Sequence, residues 1–90
     1  MIELTGTIII PRADYPRAEK PLQDHIMATR VEAGNIVFEV SQDAANPELF
    51  HVFEQFLDMD SFELHQKLGA EREWGKVSKD FVRDFEVAEL

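Results

Sequence analysis

Ile36-Val37-Phe38-Glu39-Val40, punctuated ahead by Gly34-Asn35, and Leu49-Phe50-His51-Val52-Phe53-Glu54-Gln55-Phe56-Leu57, joined by the polar, turn-rich stretch Ser41 to Pro47, decide the fold. Both segments are short and rich in β-branched and aromatic residues, and the connection is brief enough to fold one back on the other. They read as the strands of a hairpin. Towards the N-terminus, Ile2 to Ile10 alternates Ile2, Leu4, Ile8 and Ile10 with Glu3, Thr5 and Thr7, the period of two of another strand. Pro11 stops it, and Asp14 is placed to cap a helix carrying Tyr15, Ala18, Leu22, Ile26 and Thr29 at helical spacing. Pro16 suits a first turn, whereas Pro21 is expected to kink or delay this helix. Beyond the hairpin, Asp60-x-x-Glu63 resembles a capping box ahead of Phe62, His65 and Leu68. Gly69 is expected to weaken that second helix, and Trp74, Val77, Ser78 and Phe81 to continue its stripe in a further helical piece. Arg83 to Val87 alternates again and closes the chain with a last strand. The order β-α-β-β-α-β predicts an α+β, ferredoxin-like fold, with both helices on one face of an antiparallel sheet.

At 90 residues the whole span 1–90 reads as a single domain. Nine Lys plus Arg against eighteen Asp plus Glu leave a net charge of -9, which repels phosphate backbones and anionic lipid, so neither nucleic acid nor a membrane is expected as a partner. The absence of Cys rules out disulfides, thiolate metal sites and Cys nucleophiles, and fits a reducing cytoplasm. No basic region precedes a long apolar run, and no stretch approaches the roughly 18 apolar residues of a membrane span, so neither secretion nor insertion is expected. Helices can cover only one face of the sheet, yet Ile9, Val37 and Phe53 alternate with Ile8, Phe38 and Val52 and so fall on the other. Isolated exposed apolar side chains are one explanation. A homodimer packed sheet to sheet is the favoured one, because a small domain gains core that way.

His25, His51 and His65 form no HxxH, HxxxH or HExxH pair, and no carboxylate spacing marks a cation loop, so no metal site is expected. From Glu32 to Glu63 there is no Lys or Arg, the pattern of a solvated acidic surface. Phosphate-cradling glycine loops and GxSxG are also missing. His65 lies in the stripe of Phe62 and Leu68 and therefore points towards the sheet. It is either a buried His satisfied by a neighbour or a proton acceptor in a pocket between helix and sheet. Trp74 is either core or a platform for a flat aromatic ligand. Glu54 either pairs with Arg30 or faces solvent, the pair being favoured.

Taken in order, Thr29-Arg30-x-Glu32-x-Gly34-Asn35-x-x-Phe38-Glu39-Val40, then Asn46-Pro47-x-x-Phe50-x-x-Phe53-Glu54-x-Phe56-x-Asp58, then Phe62-x-x-His65 and Trp74-Gly75 resemble the antibiotic biosynthesis monooxygenase (ABM) domain family from about Arg17 to Val87. The resemblance implies a dimeric α/β barrel of two ferredoxin-like subunits, each with a ligand pocket between sheet and helices. It also implies a cofactor-independent monooxygenase, of the quinol monooxygenase type, that oxidises an electron-rich quinol, phenol or anthrone with dioxygen. His65 falls on the family's helix His and is the implied catalytic base, with Phe38, Glu54 and Trp74 implied in substrate binding. The second His that several members carry a few residues later is replaced by Leu68-Gly69-Ala70, which counts against a mechanism needing two histidines. Phe56 stands where Trp is frequent and Ala33 where Pro is frequent. A non-catalytic small-molecule-binding dimer, or an isomerase or haem-degrading relative, is the alternative reading of the same fold.

Overall fold

The computed structural model describes all 90 residues. Strand β1 spans Ile2–Ile9, and a 3-10 turn at Arg12–Asp14 leads into α1, Tyr15–Arg30. The hairpin follows as β2, Asn35–Gln42, and β3, Leu49–Phe56. Helices α2, Met59–Glu71, and α3, Glu73–Val77, then precede β4, Arg83–Glu89. The four strands form one sheet in the order β2-β3-β1-β4, and every pairing is antiparallel. This is the ferredoxin-like α+β fold that the order of elements predicts.

Register sorts the side chains into two faces, because directly paired residues project to the same side. Phe38, Glu54, Leu4 and Val87 form one row on the helix-covered face, followed by Val40, Val52, Gly6 and Phe85. The core joins Ile2, Leu4, Ile8, Val52 and Phe56 of this face to Ala18, Phe62, Trp74 and Phe81 from the layer above. On the opposite face, Val37 shares a row with Gln55, Glu3 and Ala88, and Phe53 shares the next with Glu39, Thr5 and Glu86.

Local details depart from the sequence-based expectation in three places. Pro21 neither kinks nor delays α1, which runs through it without interruption. The missing N–H removes one helical bond, and the burial of Ala18, His25, Ile26 and Thr29 on either side holds the helix on the sheet. Asp14 occupies the N-cap position but makes no capping bond; its carboxylate instead accepts from Arg17 Nε at 2.8 Å. The cap of α2 is Asp58 rather than Asp60: extended backbone at Asp58 lets its carboxylate accept from the Ser61 amide at 2.8 Å, and Asp60 becomes a first-turn residue. Helix α2 runs through Gly69 to Glu71, and the expected further helical piece follows as α3.

Candidate functional site

Between the sheet and the helical layer lies a cavity of about 310 Å3, lined in part by His25 of α1, Phe38 of β2, Glu54 of β3, His65 of α2 and Trp74 of α3. All five side chains are buried. His65 reaches the cavity because Phe62, one turn earlier on the same face of α2, is anchored in the core. Glu54 reaches it because the alternation that buries Val52 and Phe56 also turns residue 54 inward. The pocket thus gathers the four sequence-predicted residues, Phe38, Glu54, His65 and Trp74.

Two other residues complete the hydrogen-bonding of His65. In the turn after α1, Glu32 Oε1 lies 2.9 Å from His65 Nδ1, while Glu32 Oε2 is in ion-pair contact with Arg72 Nη2 at 2.7 Å. A carboxylate facing a guanidinium can only accept, so Nδ1 of His65 carries the proton and Nε2 holds the lone pair. Burial pulls the His65 pKa below the ordinary imidazole value, with Glu32 acting in the opposite direction, so the ring is neutral near pH 7. Its Nε2 faces Glu54 Oε1 at 3.5 Å, too far for a good hydrogen bond, and Oε1 is a buried oxygen with no partner. Burial, reinforced by the negative charge of Glu32, raises the Glu54 pKa to about 7.

The expected Glu54–Arg30 pair is not formed. Arg30 instead donates to the Phe38 carbonyl from Nε at 3.1 Å and from Nη2 at 2.9 Å, because it lies on the exposed end of α1 while Glu54 points beneath the helices.

His25 supplies the second imidazole that α2 itself lacks. Its ring centroid lies 5.4 Å from that of His65, and it stacks on Trp74 at 6.4 Å. Arg72 Nη1 sits 3.4 Å from His25 Nδ1 and 3.3 Å from Thr29 Oγ1. A guanidinium has no lone pair to offer, so His25 Nδ1 is the acceptor and the ring proton resides on Nε2. Burial first, then the charges of His65 and Arg72, lower the His25 pKa to about 4. The two neutral rings therefore have opposite tautomers, His65 ready to accept at Nε2 and His25 ready to donate there. Gly69 makes room for this arrangement, since a Cβ at that position would approach His25 Cε1 to 3.2 Å.

His25, Glu32 and Arg72 are functional candidates that sequence reasoning missed. Glu32 lies in the resembling motif, but nothing in that stretch indicates a partner 33 residues away. No group of three or more His, Asp or Glu side chains has the arrangement of a metal site.

Residues 11–77 match the family model of the antibiotic biosynthesis monooxygenases. Among curated proteins none matches the sequence significantly. A solved protein of Deinococcus radiodurans, provisionally assigned as an antibiotic biosynthesis monooxygenase, is similar at 20% identity with a TM-score of 0.85, over 100% of this chain and 92% of its own. One from Nitrosomonas europaea with the same provisional assignment is 15% identical, with a TM-score of 0.85 over 100% and 98%. A Bacteroides thetaiotaomicron protein of unknown function, described as a possible oxidoreductase, is 15% identical, with a TM-score of 0.83 over 99% and 96%. At such identities the likeness to these structures is one of fold.

Proposed function

The chain belongs to the antibiotic biosynthesis monooxygenase family, and on that premise we propose that it is a cofactor-independent monooxygenase that oxidises an electron-rich phenol, quinol or anthrone with dioxygen. The observation that carries this reading is the unpaired facing of His65 Nε2 and Glu54 Oε1, 3.5 Å apart on the wall of an aromatic-lined cavity. A substrate hydroxyl placed between them would donate to the first and come within reach of the second.

Proton transfer from that hydroxyl to His65 Nε2 gives a phenolate, whose ring carbon is electron-rich enough to pass one electron to dioxygen. Coupling of the resulting radicals forms the C–O bond of a hydroperoxide. Loss of water then leaves a carbonyl: one oxygen atom stays on the substrate, and the other departs as water with two substrate hydrogens. The substrate supplies all four electrons that dioxygen takes up, two in forming the hydroperoxide and two as water is lost. Glu32, held by Arg72, keeps the acceptor tautomer of His65 and stabilises the imidazolium that forms. His25 Nε2–H is a donor for charge developing on oxygen, and Phe38 and Trp74 flank the ring. The apolar walls exclude the water that would quench the intermediates.

Oxygen uptake against a panel of quinols, phenols and anthrones tests this reading. At least one substrate should consume oxygen and yield the carbonyl product. Ligands that raise the melting temperature while no member of the panel consumes oxygen would point instead to a non-catalytic binder.

A further inference from the structure

The polar side chains of the cavity are sorted by charge. Glu54, His65 and His25 sit at its buried end. Lys79 and Arg83 line it as well, but both are exposed and so mark its rim. In this chain the cations paired with carboxylates are Arg17, Lys20 and Arg72, which leaves both rim cations without a counter-charge.

The Arg83 guanidinium is held in place all the same. Nη1 donates to the carbonyls of Ser78 at 2.8 Å and Phe81 at 3.1 Å, and Nη2 to Ser78 Oγ at 2.6 Å. These acceptors are neutral. They fix the fork at the end of α3 without cancelling its charge, and they leave Nε and one Nη2 hydrogen free. Clamping the end of a helix accounts for the three bonds but for neither the free donors nor Lys79. In a chain of net charge -9, a local pair of cations is what allows an anion to approach at all.

The sheet sets the distance between the two ends. Glu54 pairs with Leu4 and Arg83 with Ile8, so the two lie on opposite sides of β1 and four residues apart along it. That amounts to about 13 Å along the strands and about 10 Å across them. Even with both side chains reaching inwards, a single ring cannot touch both ends, whereas two linked or fused rings can. The wall between them is apolar, formed by Ile8, Val40, Val52 and Phe85.

We propose that the ligand of this cavity is a hydroxylated aromatic acid of two or more rings, its hydroxyl placed at His65 and Glu54 and its carboxylate at Arg83 and Lys79. The inference rests on the cavity being the substrate pocket, and its test requires no turnover. 4′-Hydroxybiphenyl-4-carboxylate and its neutral carboxamide, which has the same length and shape, are titrated against the protein. Binding is followed by the fluorescence of Trp74, the only Trp, which lines the cavity.

The acid should bind about 10-fold more tightly than the amide at low salt, and about 0.5 M salt should narrow the gap. Arg83→Gln and Lys79→Gln should each weaken the acid about 3- to 10-fold and leave the amide unchanged. Should Arg83→Gln fail to fold, the exposed Lys79→Gln alone carries the comparison. Equal binding of acid and amide, indifferent to salt and to these substitutions, would overturn the anion site and leave the pocket standing. Failure of both ligands to bind at millimolar concentration would overturn the pocket and this inference together.

Discussion

At the residue scale, Glu54 combines a place on the cavity wall with a cost in stability. Burial raises its pKa from the ordinary carboxylate range, near 4.5, to about 7. Below pH 4.5 the carboxyl is protonated both folded and unfolded; between there and about 7 the folded state binds the extra proton, so stability falls as pH rises through that window. Between pH 5 and 8 the loss amounts to about 2 to 3 kcal/mol. His25, lowered to about 4, acts on the other side: the unfolded chain takes up the proton first, and stability falls as pH drops from 6.5 towards 4. Glu54→Gln should therefore flatten the decline between pH 5 and 8 in denaturant titrations. A variant that follows the wild-type pH profile would show that Glu54 is not the group responsible. His65→Ala should lower turnover about 10²-fold with the fold intact, and a variant of unchanged rate would leave Glu54 as the base. The inward position of His65 could be read from helical spacing, because it depends only on its own element, whereas Glu54 reads as paired with Arg30 or facing solvent although it shares the face of Val52 and Phe56. The pairing of His65 with Glu32, and of His25 with Arg72, could not be read that way, since each joins residues brought together only when α1 and its following turn pack against the α2–α3 layer.

At the scale of elements, the helical layer trades helix stability for the shape of the site. The sequence marks Gly69 as a weak helix residue, but it contains no sign of the His25 ring that occupies the space a side chain would take. Likewise Gly75 lets α3 cross α2, since a Cβ there would collide with the carbonyl oxygens of Gly69 and Ala70. Gly69→Ala separates the two properties. Ala favours the helix by about 1 kcal/mol over Gly, while its Cβ at 3.2 Å forces the His25 ring to shift by a few tenths of an ångström. The variant should melt at the wild-type temperature or above it and yet turn over several-fold more slowly. Loss of stability with full activity per folded molecule would show that His25 has no part in the reaction. Element boundaries were less legible than element order. Pro21 and Asp60 mislead because a helix already held by tertiary packing tolerates a lost bond, and because the carboxylate nearest the backbone turn, Asp58, takes the cap.

At the scale of the molecule, the uncovered face of the sheet remains to be partnered. Ile9, Val37 and Phe53 are only partly buried there, interspersed with Glu3, Glu39 and Glu86. A chain of this size buries only about 60% of its unfolded surface, so pairing two such faces gives it core that it cannot build alone. We propose a homodimer through this face, with the helices and their cavities directed outwards. Each copy has a net charge of -9. The apolar contact must therefore overcome repulsion between like-charged partners, and salt should tighten the dimer rather than loosen it. Sedimentation at micromolar concentration should show a dimer whose dissociation constant falls as ionic strength rises. Phe53→Lys should give a folded monomer, because the new ammonium lies beside Glu39, its direct cross-strand neighbour, while the apolar contact to the second copy is lost. A wild-type monomer at micromolar concentration would rule out the sheet-to-sheet assembly. A dimer unchanged by Phe53→Lys and Val37→Lys would place the interface on a different surface.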